Sequence, residues 1–254
     1  MILKVKSKKN RSKSGLILLE GRRLINDACL AGITPLMVFF SRKKDIEEIK
    51  IPVGVKLYKT PYKELQLWSD LSTCPGIMAL CKVPDLKSAT DNSLPIVVIC
   101  DQVREPGNLG AIIRNSAAAG VSTIILTPGC TDLWDPKVLR AGSGAHFKVP
   151  ILRDETWTNI SEILPQNTKL LIADSPSIEK LPLIPYYTIN YTKWNHIAVV
   201  IGGETEGLSD NAIHLAEEMK GDRITIPMSN DIDSLNCAAA VSVILFEIRR
   251  QMVV

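Results

Sequence analysis

Residues 101–120, DQVREPGNLGAIIRNSAAAG, place a polar turn between a buried strand and a helix. Residues 94–100 before the turn, LPIVVIC, are apolar and rich in β-branched side chains, which is typical of a strand covered on both faces in a parallel sheet. Residues 108–119 are rich in Ala and Ile, and they predict a helix that ends at Gly120. Because ligands of open α/β sheets bind beyond the carboxyl ends of the strands, we expect the chemistry in this turn.

Two side chains of this stretch are candidates for one pocket. The turn at Pro106-Gly107-Asn108 leaves Asn108 at or just before the start of the helix. Arg114 follows six residues later, less than two helical turns away, so both side chains could reach a pocket above the strand. The same residues also fit an ordinary helix cap and a solvated arginine. Two later segments favour the pocket.

The first segment is residues 197–209, IAVVIGGETEGLS, a buried strand that ends in two glycines and an acid. Gly202 and Gly203 would let a flat ligand approach the backbone closely. Glu204 could neutralise a basic residue in the same pocket, and Arg114 is the expected partner. The alternative is a glycine-rich turn with exposed acids. The segment is not a phosphate-binding loop, because no Gly-Lys-Ser/Thr follows, and the chain lacks the glycine fingerprint of a nicotinamide-dependent oxidoreductase.

The second segment is residues 224–247, in which a strand ends at Pro227 and an irregular polar loop follows. Ser234 can cap the long helix predicted at residues 234–250. Residues 238–246 are small and apolar, so this part of the helix should pack tightly against the sheet or against a second subunit.

The charge distribution divides the chain. Residues 1–84 hold 16 Lys and Arg against 7 Asp and Glu, a net charge of +9, whereas residues 85–254 hold 14 against 20, a net charge of −6. A basic first part predicts a polyanionic partner, most simply nucleic acid. Apolar and charged fractions of 46% and 22% are typical of a globular protein, and six scattered cysteines without a Cys-x-x-Cys pair argue against zinc.

The order of predicted elements indicates two α/β domains joined by a linker. Residues 1–84 form the smaller domain, which begins with a flexible basic arm at 4–13; residues 85–94 form the linker, and residues 95–254 form the larger domain. Strands are predicted in the smaller domain at 16–19, 37–40, 53–58 and 76–81, and helices at 22–31 and 60–69. In the larger domain strands are predicted at 94–100, 122–127, 146–151, 169–173, 197–202 and 223–226, and helices at 108–119, 137–141, 156–164, 209–219 and 234–250. This alternation predicts a mostly parallel sheet covered by helices.

The three motifs, at residues 101–120, 201–208 and 226–236, resemble in order and character those of the SpoU (TrmH-like) RNA 2′-O-methyltransferases of the SPOUT superfamily. The resemblance extends over residues 95–250. The first 84 residues, with EGRRLI at 20–25, resemble the L30e-type RNA-binding domain that precedes the catalytic domain in several members. Residues 132–146 are most similar to the animal mitochondrial large-subunit rRNA methyltransferases. One departure is the loop at 229–233, which lacks a glycine present in many relatives.

The resemblance implies a trefoil-knot methyltransferase domain that binds S-adenosylmethionine and works as a homodimer, without a metal and without a membrane span. It implies cofactor contacts from five residues, Gly202, Gly203, Ile226, Met228 and Leu235. It implies catalytic roles for Asn108, Arg114, Glu204, Ser234 and Asn236, with Arg114 central.

The implied reaction is methylation of a ribose 2′-hydroxyl in rRNA, and the substrate expected from the resemblance is a guanosine of the mitochondrial large-subunit rRNA. The implied location is the mitochondrial matrix, with the cytoplasm as the alternative because no transit peptide is visible at the N-terminus. A different class of function is an rRNA-binding assembly factor with a decayed methyltransferase domain. The presence of Asn108, Arg114, Glu204 and Asn236 argues against it.

Overall fold

The computed structural model of the chain divides into two compact units. The first comprises Met1–Asp85 and Asp132–Lys148, and the second comprises Leu86–Thr131 and Val149–Val254. The structure describes residues 2–47, 49–85, 93–173, 183–204 and 207–253. Most of the predicted linker at 85–94 therefore lies outside the described residues. Residues 132–148 group with the first unit, although the sequence analysis placed them in the larger domain.

The helices of the described residues are α1 (Ile2–Val5), α2 (Lys8–Ser14), α3 (Arg22–Leu30), α4 (Lys44–Glu47), α5 (Tyr62–Trp68), α6 (Pro106–Ala119), α7 (Pro136–Gly142), α8 (Trp157–Ile163), α9 (Asp210–Glu218) and α10 (Cys237–Met252). The strands are β1 (Leu16–Glu20), β2 (Met37–Phe40), β3 (Lys56–Lys59), β4 (Ile77–Lys82), β5 (Leu94–Asp101), β6 (Val121–Leu126), β7 (Ile151–Leu152), β8 (Lys169–Ala173), β9 (Leu183–Pro185), β10 (Ile197–Gly202) and β11 (Asp222–Thr225).

The first unit contains a four-stranded sheet in the order β1-β4-β2-β3. Strand β4 runs antiparallel to both of its neighbours, and the outer strand β3 runs parallel to β2. The basic arm predicted to be flexible at 4–13 instead belongs to α1 and α2. Ser7 caps α2, Gly15 ends it in the left-handed region, and the buried Arg11 forms an ion pair with Asp132. These local signals and the buried ion pair order the segment.

The second unit is built on a seven-stranded sheet in the order β7-β6-β5-β10-β8-β11-β9. Every strand pair of the described sheet is parallel, which confirms the predicted parallel sheet. All six residues of β10 and five of the eight residues of β5 are buried, and the core against them is mainly Ile, Leu, Val and Ala. The carboxyl ends of these two central strands therefore meet at one edge of the sheet.

Of the predicted boundaries that differ from the structure, three have a clear local cause. Residues 146–151 are not a strand: a 3₁₀ turn at Ala145–Phe147 follows Gly144, whose φ is 85°, and only Ile151–Leu152 pair in the sheet. Helix α6 begins two residues before the predicted start, because Glu105 and not Asn108 caps it. Helix α10 begins three residues after Ser234, because Asn236 caps it.

Candidate active site

Asp101 holds together the strand ends beneath the candidate site. It is the last residue of β5 and pairs in register with Gly202, the last residue of β10. The Asp101 carboxylate is fully buried and accepts hydrogen bonds from the Thr127 hydroxyl at 3.3 Å and the Ser209 backbone N–H at 2.6 Å. Because a buried carboxylate requires such donors, Asp101 fixes the end of β6 and the start of α9 beside the ends of β5 and β10.

Gly202 and Gly203 lie where no side chain fits. A Cβ atom added at Gly202 would lie 2.3 Å from the carbonyl oxygen of Gly207. A Cβ atom added at Gly203 would lie 2.8 Å from the carbonyl oxygen of Gln102. Gly203 and Gly207 also form a β-bridge. The backbones of Gly207 and Gln102 therefore pack directly against the two glycines, so this end of the pocket is formed by backbone.

A pocket of about 470 Å³ opens beside these glycines. The ends of β8, β10 and β11, the loop before α10 and the first two turns of α10 line it. All five residues predicted for the cofactor contribute to the lining: Gly202, Gly203, Ile226, Met228 and Leu235. Three of the five predicted catalytic residues also line it: Glu204, Ser234 and Asn236. The pocket thus joins the second and third sequence motifs.

Asn236 connects the pocket to the first motif. Its amide nitrogen donates hydrogen bonds to Asn108 Oδ1 at 2.8 Å and to the Glu204 carboxylate. Its Oδ1 accepts from the backbone N–H of Ala238 at 2.9 Å and that of Ala239 at 3.4 Å, which caps α10. Since the start of the helix engages the oxygen, the amide hydrogens of Asn236 are directed at Asn108 and Glu204.

Arg114 lies apart from this hydrogen-bonded cluster. Its side chain is exposed on α6, and it makes no hydrogen bond or ion pair with the residues that the structure describes. The predicted ion pair between Arg114 and Glu204 is therefore wrong, since Glu204 contacts Asn236 instead. An exposed guanidinium without a protein partner keeps all its donors available to a substrate.

Helices α6 and α10 are joined by polar contacts on both sides of the apolar packing. Asn115 donates from its amide to the carbonyl oxygen of Ala238 at 3.3 Å and to the Ser242 hydroxyl. One turn further along α6, at its last residue, the Arg249 guanidinium near the end of α10 donates to the carbonyl oxygen of Ala119 at 3.1 Å. These contacts hold the helix that carries Asn108 and Arg114 against the helix that Asn236 caps.

Cys237 lies in the wall of the pocket but is unsuited to nucleophilic catalysis. Burial, together with the charge of Glu204, raises the pKa of its thiol to about 11. The thiol is therefore protonated at neutral pH, and the reactive thiolate is scarce.

The described ranges hold neither a metal-binding cluster nor a membrane-spanning helix. No group of three or more His, Cys, Asp or Glu side chains there is placed to hold a metal ion. None of the described helices is long and apolar enough to cross a bilayer.

The sequence analysis did not predict roles for Asp101 and Glu105, which hold the backbone around the site. Each has a sequence feature that could have indicated its role. Glu105 precedes a proline at a helix start, and an acidic N-cap followed by proline is a common helix beginning. Asp101 ends an apolar strand, but its partners Thr127 and Ser209 are distant in sequence. Only the folded sheet brings them together.

Comparison with known proteins agrees with this architecture. Residues 95–246 match the SpoU rRNA Methylase family, and residues 1–79 match the MRM3-like substrate binding domain. Human rRNA methyltransferase 3, mitochondrial, is 39% identical over 297 residues, a match that covers 98% of this chain and 70% of that protein.

Two bacterial proteins are also similar. The 23S rRNA (guanosine(2553)-2′-O)-methyltransferase RlmP of Bacillus subtilis is 28% identical, with 97% of this chain and 93% of that protein covered. The crystal structure of AdoMet-bound rRNA methyltransferase from Sinorhizobium meliloti superposes with a TM-score of 0.82 and 27% identity, over 99% of this chain and 93% of that one. These matches confirm the predicted α/β methyltransferase fold preceded by a smaller domain.

Proposed function

The chain belongs to the SpoU rRNA methylase family, and we propose that it methylates the ribose 2′-hydroxyl of a guanosine in mitochondrial large-subunit rRNA, with S-adenosylmethionine as methyl donor. The name of the B. subtilis relative supports guanosine and the 2′-hydroxyl as the target. The name of the human relative supports mitochondrial rRNA as the substrate.

The pocket beside Gly202 and Gly203 is the main support for this proposal. Its walls combine exposed backbone at the two glycines with the apolar side chains of Ile226 and Leu235. Backbone amides and carbonyls suit the hydrogen-bonding edge of an adenine, and apolar side chains suit its faces. The residues present therefore fit S-adenosylmethionine, which supplies an electrophilic methyl group when bound.

Asn236 would lie between the bound cofactor and the RNA. It lines the pocket and donates to Asn108 and Glu204, so it fixes the positions of both side chains. These groups, with Ser234 at the pocket wall, would orient the ribose so that its 2′-oxygen is in line with the transferred methyl group.

Arg114 would act on the RNA rather than on the cofactor. It is exposed and has no partner within the described residues, and an arginine guanidinium is a poor base. We assign it to binding a phosphate next to the target ribose and to stabilising negative charge that develops on the 2′-oxygen. Direct proton abstraction by Arg114 is the alternative.

Methyl transfer from labelled S-adenosylmethionine to large-subunit rRNA tests the proposal, with the modified ribose located by its resistance to alkaline cleavage. Replacement Arg114→Lys should lower the turnover at least about tenfold, because lysine lacks the planar fork that grips a phosphate. Arg153→Lys, at another exposed arginine of the second unit, is the matched control and should remain active. Near-normal turnover of Arg114→Lys would refute the role of Arg114. An rRNA-binding protein without any transfer would favour the assembly factor.

Family membership also supports a knotted domain, a homodimer and a location in the mitochondrial matrix as proposals. Phe246 on α10 has 46% of its surface exposed, which is consistent with a face available to a second copy. Light scattering should give twice the mass of the chain, and an active monomer would contradict the dimer. Protease treatment of mitochondria whose outer membrane has been ruptured and whose inner membrane is intact tests the matrix location. A matrix protein should survive this treatment.

A further inference from the structure

Three aromatic side chains form a cluster on the sheet of the first unit. The rings of Phe39 and Tyr58 are stacked, with centroids 5.3 Å apart and an interplanar angle of 17°. The Trp68 ring packs edge-on against Phe39, with a centroid distance of 5.5 Å. Phe39 and Trp68 also pack against the apolar core of the unit. Tyr58 is therefore the outermost ring of an ordered stack.

The position of Tyr58 in the sheet leaves one face of its ring open. Phe39 and Tyr58 are paired in register on β2 and β3, and β3 is the last strand of the sheet. Phe39 covers one face of the Tyr58 ring, and 42% of the tyrosine surface remains exposed. Another flat ring could continue the stack at this edge.

Positive charge lies on the strand that carries the open ring, with Lys56 on the same face of β3 as Tyr58 and Lys59 on the opposite face. Lys56 and Lys59 begin and end β3, and Lys63 follows on α5; all three side chains are exposed. None of the three has an ion-pair partner in the described part of the chain. They contribute to the net charge of +9 that residues 1–84 carry. The edge thus combines an aromatic face with cations, which is the combination that single-stranded nucleic acids recognise.

We propose that Tyr58 is a stacking site for an unpaired base of the RNA substrate, with Lys56, on the same face of β3, contacting a flanking phosphate. This inference rests on the proposed function, which makes RNA the partner. The Phe39 ring beneath holds Tyr58 in place, so little side-chain freedom is lost when a base stacks on it. Stacking is tolerant of sequence, because every base has an aromatic face.

The other possible occupant of a sheet edge is a strand from another protein. Lysines on an edge strand oppose such pairing, and β3 is only four residues long and carries two of them. The same lysines attract a polyanion. The charges therefore favour RNA over a protein strand.

The test compares the binding of a labelled, unstructured adenosine oligonucleotide by the full chain and by variants at Tyr58. Tyr58→Phe keeps the ring and should bind like the wild type. Tyr58→Leu keeps an apolar cover over Phe39 but removes the stacking face, and it should weaken binding about tenfold. Tyr187→Ala, at an exposed tyrosine of the second unit, is the control and should change nothing.

Unchanged affinity in Tyr58→Leu overturns the inference, and so does an equal loss in Tyr58→Phe, which would indicate a hydroxyl contact. If light scattering gives the Tyr58→Leu protein half the mass of the wild type, the edge strand pairs with another protein chain. This result also overturns the inference. S-adenosylmethionine binding is measured in parallel and should be the same in all variants. Two outcomes separate this inference from the proposed function. If the wild type transfers methyl groups to rRNA and Tyr58→Leu keeps full affinity for RNA, only this inference fails. If the wild type does not bind RNA, the proposed function fails as well.

Discussion

At the scale of single residues, the site depends on side chains that serve two elements at once. Asn236 caps α10 with its oxygen and holds Asn108 and Glu204 with its nitrogen. In the loop before it, Asn230 and Asp231 adopt φ values of 59° and 56°. Asn and Asp tolerate this left-handed conformation better than other non-glycine side chains, so the loop adopts it at two positions without a glycine.

Asn236→Asp separates the two roles of Asn236. Aspartate is as good an N-cap as asparagine, so the unfolding temperature should stay within a few degrees of the wild type. The new carboxylate cannot donate to Asn108 and repels Glu204, so we expect methyl transfer to fall at least about a hundredfold, the effect of losing a well-positioned polar group in a catalytic site. Thr156→Asn exchanges the cap of α8, away from the pocket, and should preserve both properties. Full activity in Asn236→Asp would show that the donor is dispensable.

His146 should make the stability of the first unit depend on pH. Burial lowers the pKa of His146 from 6.5 to about 4, against a smaller opposing effect of the Leu133 backbone. Below pH 6.5 the unfolded chain therefore binds a proton that the folded chain excludes, and stability is lost as the pH falls from about 6.5 towards 4. The full effect is on the order of 3 kcal/mol. Denaturant titrations at several pH values should show this slope, and His146→Leu should flatten it.

The control for this measurement is His214→Gln, at an exposed histidine of α9. It should keep the wild-type slope between pH 6.5 and 4. If His146→Leu keeps the slope as well, the acid sensitivity comes from other groups.

At the scale of secondary-structure elements, the packing of α6 against α10 brings the first and third motifs together. Each helix carries part of the cluster, Asn108 on α6 and Asn236 at the cap of α10. Both helices bury apolar side chains, and Asn115 and Arg249 join them by hydrogen bonds. The positions of the site residues therefore depend on this helix pair.

Asn115→Ala should loosen the helix pair. It removes the amide that donates to the carbonyl oxygen of Ala238 and to Ser242, at a partly buried position, so we expect a loss of about 1–2 kcal/mol in the free energy of unfolding by urea. Asn159→Ala, which removes an exposed amide on α8, should cost less than about 0.5 kcal/mol. Equal stabilities of the two variants would mean that Asn115 does not contribute to the packing.

The sequence predicts the elements with strong local signals and misses those set by distant partners. The apolar runs at β5 and β10 and the glycine that ends α6 are visible in the chain itself. Strand β9 is only three residues long and forms because β11 lies beside it. The strand predicted at 146–151 was expected from its Phe, Val and Ile residues. It does not form, because Ser143 and Gly144 before it have positive φ values that end α7 and turn the chain.

The candidate site was largely predictable because its residues are clustered in three short motifs. Eight of the ten predicted residues line the pocket, and Asn108 is hydrogen-bonded to one of them, Asn236. The partner of Glu204 was not predictable, since the alternatives, Arg114 and Asn236, lie far from it in sequence. Which of them is in contact depends on how α6 and α10 pack.

At the scale of the whole molecule, the two units carry different features that methylation of RNA requires. The second unit carries the pocket and the Asn108–Asn236–Glu204 cluster. The first 84 residues carry most of the excess positive charge. Affinity for RNA should therefore fall steeply with salt, whereas affinity for S-adenosylmethionine should depend on the second unit.

The central claim is that the pocket beside Gly202 binds S-adenosylmethionine, and calorimetric titration of the wild type and Gly202→Ala tests it most directly. The wild type should bind S-adenosylmethionine and S-adenosylhomocysteine with a dissociation constant on the order of micromolar. Gly202→Ala should weaken both at least about tenfold, because its Cβ would lie 2.3 Å from the Gly207 carbonyl oxygen and displace the chain that forms the pocket. Ser161→Ala, at an exposed position of α8 away from the pocket, is the control and should bind like the wild type. A folded wild type that binds neither compound, or a Gly202→Ala protein with unchanged affinity, would contradict the claim.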